Sequence, residues 1–502
     1  MTLGQMLEET VGRHPQRVAI QFNKQKITFR QLNDAVNRAS QALLKLEVQE
    51  GDKVGILLEN KPEYIISYFA TLKVGGVVVP LNTFLSGAEL AYIMNNCQLK
   101  VLVTSEKFLK TIQPVLPQVL SLKYTILVGV DTGEFLSFSK WVEAEPTTPP
   151  GTQVDPESLA VLLYTSGTTG HPKGVMLSHT NLYSNVLSST QAFKVTQRDR
   201  FLLFLPLFHA FTFTVCVLAP VYAGGRIILL ESARSLEEIK KSVLWDRITV
   251  FVGVPAVFNI LADRKIPRFV KYIHAIRAFI SGSAPLSAAT IQKIEEKFGA
   301  PLLEGYGLSE ASPVVSVNPL EGVRKVGSVG LPIPGVQVKI VDSQGNDLPI
   351  GGEGEIAVKG PNVMLGYYRS PEATRDVLRE GWLLTGDIGK LDEEGYLYIL
   401  DRKKDMLLVR GINVYPREIE EVLYAHPKVA ECAVIGVKDE HRGEVPKAFI
   451  VLKEGASATE GEIKQYCTER LAKYKIPRYV EFRKSLPKTP TGKILKRKLN
   501  EL

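Results

Sequence analysis

"LAVLLYTSGTTGHPKG" runs from Leu159 to Gly174, and its reading decides the architecture. Its first half, "LAVLLYT", is an apolar run with the length of a buried strand. Its second half is small and polar. Thr165, Ser166, Thr168 and Thr169 carry hydroxyls, Gly167, Gly170 and Gly174 lack a Cβ, and Lys173 adds a cation. Glycines let the backbone approach an anion, successive N–H groups form a concave nest, and hydroxyls add donors. The common phosphate loop reads G-x-x-x-x-G-K-[ST] and opens a helix. Here Gly167 and Gly170 stand three apart and Gly174 follows Lys173, so the spacing excludes a loop of the kinase or GTPase type. The stretch still predicts a phosphate cradle at a strand end, where α/β proteins place their ligands. A plain surface turn is the alternative, and four hydroxyls beside three glycines speak against it.

Outward from this strand the chain alternates. Thr28 with Gln31 three residues later forms a capping-box pattern, and Leu32, Val36, Ala39, Leu43 and Leu46 follow at helical spacing. "KVGILLE" (53–59), "GGVVVPL" (75–81), "KVLVTS" (100–105), "TILVGV" (125–130), "RIILLE" (226–231) and "AFISG" (278–282) read as strands, and Pro62 begins a helix. This rhythm predicts parallel sheets covered by helices. From about Val336 short strands separated by glycines predict a small antiparallel, barrel-like unit. After "DRKKD" (401–405) a new cycle begins. Pro416 opens a helix through Tyr424, "ECAVIGV", "AFIVL" and "YVEF" read as strands, and residues 460–473 as a helix. The expected fold class is therefore α/β: a large N-terminal domain over 1–400 and a small α+β domain over 401–502.

Composition narrows the function. The chain has 502 residues, 45% hydrophobic and 23% charged, too long for one average domain and ordinary for a globular protein. Cys97, Cys216, Cys432 and Cys467 are scattered with no C-x-x-C pair, which argues against a disulfide framework or a cysteine zinc site and suits a reducing compartment. "MTLGQMLEETVGRHPQR" reads as an amphipathic helix without the apolar core of a signal peptide, so a cytoplasmic protein is expected. No charged residue occurs from Phe201 to Gly225, but Pro206 and Pro220 interrupt the run, and a membrane span needs about twenty residues. An apolar core or ligand tunnel fits better. The net charge is +8, and residues 401–502 hold 22 Lys and Arg against 15 Asp and Glu. A basic C-terminal unit implies an anionic partner: a phosphorylated cofactor or a membrane surface. No nucleic-acid motif is present, so nucleic acid is not expected.

Four further stretches carry chemistry. "EGYGLSE" comprises Glu304, Gly305, Tyr306, Gly307, Leu308, Ser309 and Glu310. Tyr306 can stack on a flat ring and Glu310 can bind a hard cation. "GWLLTGDIG" (381–389) puts Asp387 in a glycine-flanked turn suited to a ribose diol. "DRKKD" contains Arg402 and Lys404, and "PKTPTGKILK" (487–496) carries Lys493 beside a glycine. Each alone reads equally as a turn.

In this order, the five motifs together resemble the adenylate-forming superfamily of acyl-CoA synthetases, luciferases and peptide-synthetase adenylation domains, over essentially the whole chain. "GWLLTGDIGKLDEEGYLYILDRKKDMLLVRG" is similar to the fatty-acyl-CoA synthetase signature, and "EGYGLSEASPVVSVNP" to bacterial long-chain fatty-acid–CoA ligases. Leu384 stands before "TGD" where many of those ligases carry histidine, so the motif does not fix chain length. The resemblance implies ATP, Mg²⁺ and coenzyme A as the small molecules used with a fatty acid. It implies that Ser166, Gly167, Thr168, Thr169, Gly170 and Lys173 grip the departing phosphates. Tyr306 would stack on adenine opposite Gly282, Ser283, Ala284 and Pro285. Thr165 and Glu310 would serve Mg²⁺, and Asp387 and Arg402 the ribose. His209 would stand between the acyl and nucleotide sites, with Phe208, Phe211, Phe213 and Val217 as acyl-binding candidates. Lys493 would bridge carboxylate and α-phosphate, Lys404 would be a hinge, and Gly411 would leave room for pantetheine. Peripheral membrane contact and a homodimer are compatible with this reading. Alternatives are an aromatic or branched carboxylate–CoA ligase, a ligase that loads an acyl carrier protein, a luciferase-like oxygenation, and a nucleotide sensor without catalysis. The last predicts damage at Lys173, Glu310, Asp387, Arg402 or Lys493, and all five are present.

Overall fold

A computed structural model describes residues 1–165, 172–232, 236–267, 269–409, 412–439, 443–488 and 494–500. Among them, two large sheets carry the N-terminal part. One runs in space through Gly366–Tyr367, Lys173–Ser178, Leu159–Thr165, Val77–Pro80, Lys53–Leu57, Leu99–Ser105, Tyr124–Val128 and Leu136–Ser137, and is parallel from Leu159–Thr165 onward. The other runs through Leu331–Pro332, Val314–Val317, Leu302–Gly307, Ala278–Ser281, Val250–Gly253, Arg200–Leu203, Arg226–Leu229, Val18–Phe22 and Gln25–Thr28. It is parallel from Leu302–Gly307 to Val18–Phe22. The alternation of apolar runs with capped helices therefore produced the expected layers.

Helix Pro62–Lys73 is buried along its length except at Glu63, the pattern of a helix with no solvent face. One continuous core joins Val54, Ile56 and Val78 of the first sheet to Phe201, Ile227 and Val252 of the second. Helix Phe29–Lys45 starts where the capping box predicts it, with the Thr28 side chain accepting from Gln31 N and the Gln31 side chain accepting from Thr28 N. It buries Leu32, Val36, Ala39 and Leu43.

The glycine-punctuated strands form an antiparallel sheet of Gln337–Val341, Gly354–Lys359, Trp382–Leu391 and Leu378–Arg379, with Leu397–Arg402 on the far side of Trp382–Leu391. Register shifts at Glu355/Ala357 and Ile388/Gly389 bend it, as bulges do, into a half-barrel. The C-terminal unit is a further sheet of Leu407–Val409, Ile412–Val414, Val429–Asp439, Gly443–Leu452 and Tyr479–Phe482, packed on helices Pro416–Tyr424 and Glu460–Thr468. Its core of Leu407, Val414, Ile419, Leu423, Ile450 and Cys467 is separate from the others, which supports the division we propose near residue 401.

One expectation is adjusted. The helix predicted over 460–473 ends at Thr468, whose hydroxyl bonds back to the Lys464 carbonyl at 2.8 Å. Beyond it the ladder tightens, Arg470 N donating to the Cys467 carbonyl three residues back at 3.1 Å. The uncharged run from Phe201 becomes a strand end, helix Ala210–Phe213, a π-helical turn over Thr214–Leu218 and helix Ala219–Ala223, closed by Gly224 at φ +74°. Among the described residues no helix is long and apolar enough to cross a membrane.

Candidate active site

The glycine-rich stretch joins two antiparallel strands, Leu159–Thr165 and Lys173–Ser178, with Thr165 paired to Lys173. From Lys173 the chain therefore enters a strand and not a helix. Ser166, Gly167, Thr168, Thr169 and Gly170 lie outside the described residues, as do Gly411 and Lys493. The two ends of the turn are informative. Lys173 Nζ stands over the Tyr367 ring, 5.3 Å from its centre, and the Tyr367 hydroxyl donates to Glu310 Oε1 at 2.9 Å. Strand Gly366–Tyr367 pairs beside Lys173–Ser178, which is how Tyr367 reaches both. Thr165, Lys173, Tyr367 and Glu310 therefore form one cluster drawn from three distant stretches of chain.

Tyr306 and Glu304 sit on strand Leu302–Gly307, with Leu308 and Ser309 leading to the turn that carries Glu310. Gly305 and Gly307 permit close packing: a Cβ on Gly307 would lie 2.4 Å from the Pro313 carbonyl oxygen. The Tyr306 hydroxyl donates to Asp387 Oδ2 at 2.6 Å, and Arg402 Nε lies 3.5 Å from Asp387 Oδ1. Asp387 and Arg402 are opposed on neighbouring strands of the half-barrel. Burial, then the adjacent Asp387 carboxylate, push the Tyr306 phenol well above its usual range, so it stays a hydrogen-bond donor. An aromatic face, a carboxylate suited to a diol and a guanidinium thus meet at one point.

Gly282, Ser283, Ala284 and Pro285 follow strand Ala278–Ser281, next to Leu302–Gly307. Ser283 adopts φ +73°, a left-handed conformation that costs a non-glycine residue on the order of 1–3 kcal/mol and marks a constrained turn. A Cβ on Gly282 would come within 3.0 Å of the Phe211 ring. Phe211 is therefore packed against this backbone.

His209 precedes helix Ala210–Phe213, and burial pushes its pKa down to about 4. Its ring is neutral at pH 7, and its buried Nε2 has no partner among the described residues. Phe208, His209 and Phe213 line an apolar cavity with Tyr68, Leu163 and Leu182. The space it leaves for the centre of a water is about 10 Å³, room for one molecule. Tyr68 stacks on Phe213 at 3.9 Å between ring centres and closes it on one side. Phe211 and Val217 do not line it; Val217 is fully buried in the core.

Sequence reasoning missed Tyr367, Tyr68 and Asn60. Asn60 is buried and holds the segment before His209, donating to the Leu205 carbonyl and accepting from Leu207 N, both at 3.0 Å. The signal for Asn60 was faint: a polar residue ending an apolar strand.

Glu304 is buried under this site, and desolvation raises its pKa to about 7, opposed by Arg417 and a bond from Leu286 N. The folded protein holds a proton that the unfolded carboxyl, at about 4.5, has lost. This stabilisation is full below pH 4.5 and disappears as pH rises through 7. Glu304→Gln, which stays neutral, should gain stability relative to wild type between pH 5 and pH 8, by roughly 3 kcal/mol. Unfolding midpoints of both proteins at the two pH values check this; a constant difference contradicts it.

Fold and site together define an adenylate-forming enzyme. The AMP-binding enzyme family matches residues 7–368, and the AMP-binding enzyme C-terminal domain matches residues 418–493. The chain belongs to this family. It is similar to the long-chain-fatty-acid–CoA ligase of Bacillus subtilis (strain 168), 39% identical over 100% of this chain and 94% of that protein. It is also similar to a feruloyl-CoA synthase of an Amycolatopsis species, 36% identical over 96% of this chain and 95% of the other. Among solved structures, ATP-bound MatB from Rhodopseudomonas palustris superposes with TM-score 0.92 at 34% identity, covering 100% of this chain and 99% of that one.

Acyl–CoA ligases of this family use ATP, Mg²⁺ and coenzyme A. The residues present fit the metal: Mg²⁺ prefers one or two carboxylates plus phosphate oxygens to a closed protein cage. Among the described residues no cluster of three acidic, His or Cys side chains could form such a cage. Glu310 instead stands near Lys173, linked through the Tyr367 hydroxyl.

Proposed function

We propose that this AMP-forming acyl–CoA ligase takes a medium- or long-chain fatty acid. In the first step the fatty carboxylate attacks the α-phosphorus of ATP, pyrophosphate leaves, and acyl-AMP forms. In the second the thiol of coenzyme A attacks the acyl carbon and AMP leaves. The protein needs no nucleophile of its own, consistent with four cysteines that are all buried. Its task is to bring two anions together: unit charges at 4 Å repel by roughly 4 kcal/mol near a protein surface.

In this reading the hairpin turn and Lys173 hold the β- and γ-phosphates, and Glu310 with Thr165 would hold Mg²⁺, which supplies charge neutralisation there. Tyr306 and the 282–285 backbone sandwich adenine, and Asp387 with Arg402 takes the ribose. For that, the Tyr306–Asp387 hydrogen bond opens or rearranges. His209, kept neutral, offers a hydrogen bond at the carboxylate without adding charge. Lys493 bridges carboxylate and α-phosphate.

The observation that carries the fatty-acid reading is the apolar cavity bordered by neutral His209. Its narrowness implies that the Tyr68–Phe213 stack moves to admit a chain. Each buried CH₂ contributes about 0.8 kcal/mol, so kcat/KM should rise roughly fourfold per CH₂ until the tunnel is full, with the optimum at about eight carbons or longer. A panel from acetate to stearate plus aryl acids, scored by ATP-dependent pyrophosphate release, tests it. A maximum on acetate contradicts the proposal. A maximum on an aryl acid favours the aromatic reading, to which the feruloyl-CoA synthase relative and the stacked aromatic pair lend support. Coenzyme A compared with an acyl carrier protein as acceptor decides the second step.

A further inference from the structure

The tail that carries Lys493 is fastened on both sides. Lys488 and Ile494 form a β-bridge, and Leu495 N donates to the Pro487 carbonyl at 2.8 Å, closing the stem of the loop. Before the loop, Lys488 pairs with Glu431 at the surface, where both side chains are about a third exposed. After it, Lys496 Nζ pairs with Glu420 Oε1 at 2.8 Å, with side chains only 21% and 15% exposed.

The second pair has a special position. Glu420 lies on helix Pro416–Tyr424, and its Oε1 also accepts from Val434 N at 2.6 Å. The carboxylates of Asp401 and Asp405 in "DRKKD" add a favourable field at Lys496. Asp401 is tied to the same helix, since its Oδ2 accepts from Arg417 N at 2.8 Å, and the Arg417 guanidinium donates to the Ile399 carbonyl at 2.7 Å. Burial alone would lower the Lys496 pKa, but Glu420 and then Asp401 outweigh it and hold the ammonium above its usual range. Lys496 thus ties the tail to the first helix of the C-terminal unit, and Asp401 ties that helix to the hinge segment. Lys496 stands three positions after Lys493, a span of at most about 11 Å.

We infer that Lys496, paired with Glu420, is a positioning residue for the adenylation step: it fixes the stem from which Lys493 reaches the reacting groups. Lys496 does not touch substrate. It acts by holding the tail to the hinge helix, so its loss lets the loop wander while the acyl and nucleotide sites stay formed. A misplacement of about 1 Å costs an oriented reaction on the order of a hundredfold. The step that joins acyl-AMP to coenzyme A does not use Lys493 and should be spared. The inference rests on the proposed role of Lys493 but not on the identity of the acid.

The test uses the full-length enzyme and whichever carboxylate it turns over fastest. Adenylation is followed by pyrophosphate release, and the second step by conversion of synthetic acyl-AMP plus coenzyme A. Lys496→Met should lose ten- to a hundredfold in adenylation and less than threefold in thioester formation. Lys496→Arg should recover most of the loss. The double variant Lys496→Met/Glu420→Gln should lose no more than the worse single variant, because both changes break one contact. Equal losses in both steps in a protein with unchanged unfolding midpoint overturn the inference, as does full adenylation in Lys496→Met. Should Lys496→Met fail to fold, Glu420→Gln alone must show the same split. A Lys493→Ala enzyme that still adenylates would refute the role of Lys493 itself, a failure distinct from that of the Lys496–Glu420 pair.

Discussion

Lys493→Ala is expected to lower adenylate formation by at least a thousandfold while leaving most of the thioester-forming step. The argument is electrostatic. Negative charge concentrates where carboxylate meets α-phosphate, and a preorganised cation there is among the largest single contributions an enzyme can make. In the second step a thiol meets an acyl adenylate, and that charge problem has passed. The variant should therefore still convert synthetic acyl-AMP and coenzyme A into acyl-CoA. Pyrophosphate release and thioester formation, measured separately, read the two effects. Parallel losses would show that Lys493 has another role.

The second large effect is expected at the turn between the half-barrel and the C-terminal unit. Lys404→Pro should keep substantial adenylation and lose thioester formation by two or more orders of magnitude. Two half-reactions that share one acyl site need different partners beside it, and in the proposed account a rotating C-terminal unit would supply both. Rotation needs a φ/ψ change at a few residues. Lys404 is exposed in a turn whose neighbours are tethered: Lys403 N donates to the Gly386 carbonyl, Lys403 Nζ pairs with Glu355 at 2.8 Å, and Asp405 N donates to the Arg402 carbonyl. Proline holds φ near −65° and restricts the residue before it, so it should trap one orientation. If Lys404 is only a solvated turn residue, the two rates will change together or not at all.

The architecture was legible because its signals are local. A strand such as "KVGILLE" or a box such as Thr28 with Gln31 needs only its own neighbours to be read, and both appear where expected. The motif residues were legible for a related reason: glycine-flanked Asp387 and Tyr306 stand out by type, and the structure brings them to 2.6 Å. What stayed hidden depends on pairings across the chain. Tyr367 joins Lys173 to Glu310 only because its strand adds to the edge of the hairpin, and nothing in "LGYYRS" announces that. Tyr68 looks like any residue of a buried helix until Phe213 stacks on it. Phe211 and Phe213 are two residues apart and equally aromatic, yet one packs on Gly282 and the other faces the cavity. The helix end at Thr468 was missed because the turn of Arg470 N to the Cys467 carbonyl leaves no periodic trace.

The most direct test of the account is a single-turnover experiment without coenzyme A. Enzyme, ATP, Mg²⁺ and a fatty acid of about twelve carbons should yield one equivalent of pyrophosphate and a bound acyl-AMP, which added coenzyme A converts to acyl-CoA with release of AMP. Release of ADP and inorganic phosphate, or pyrophosphate formed equally well without any carboxylate, would contradict it.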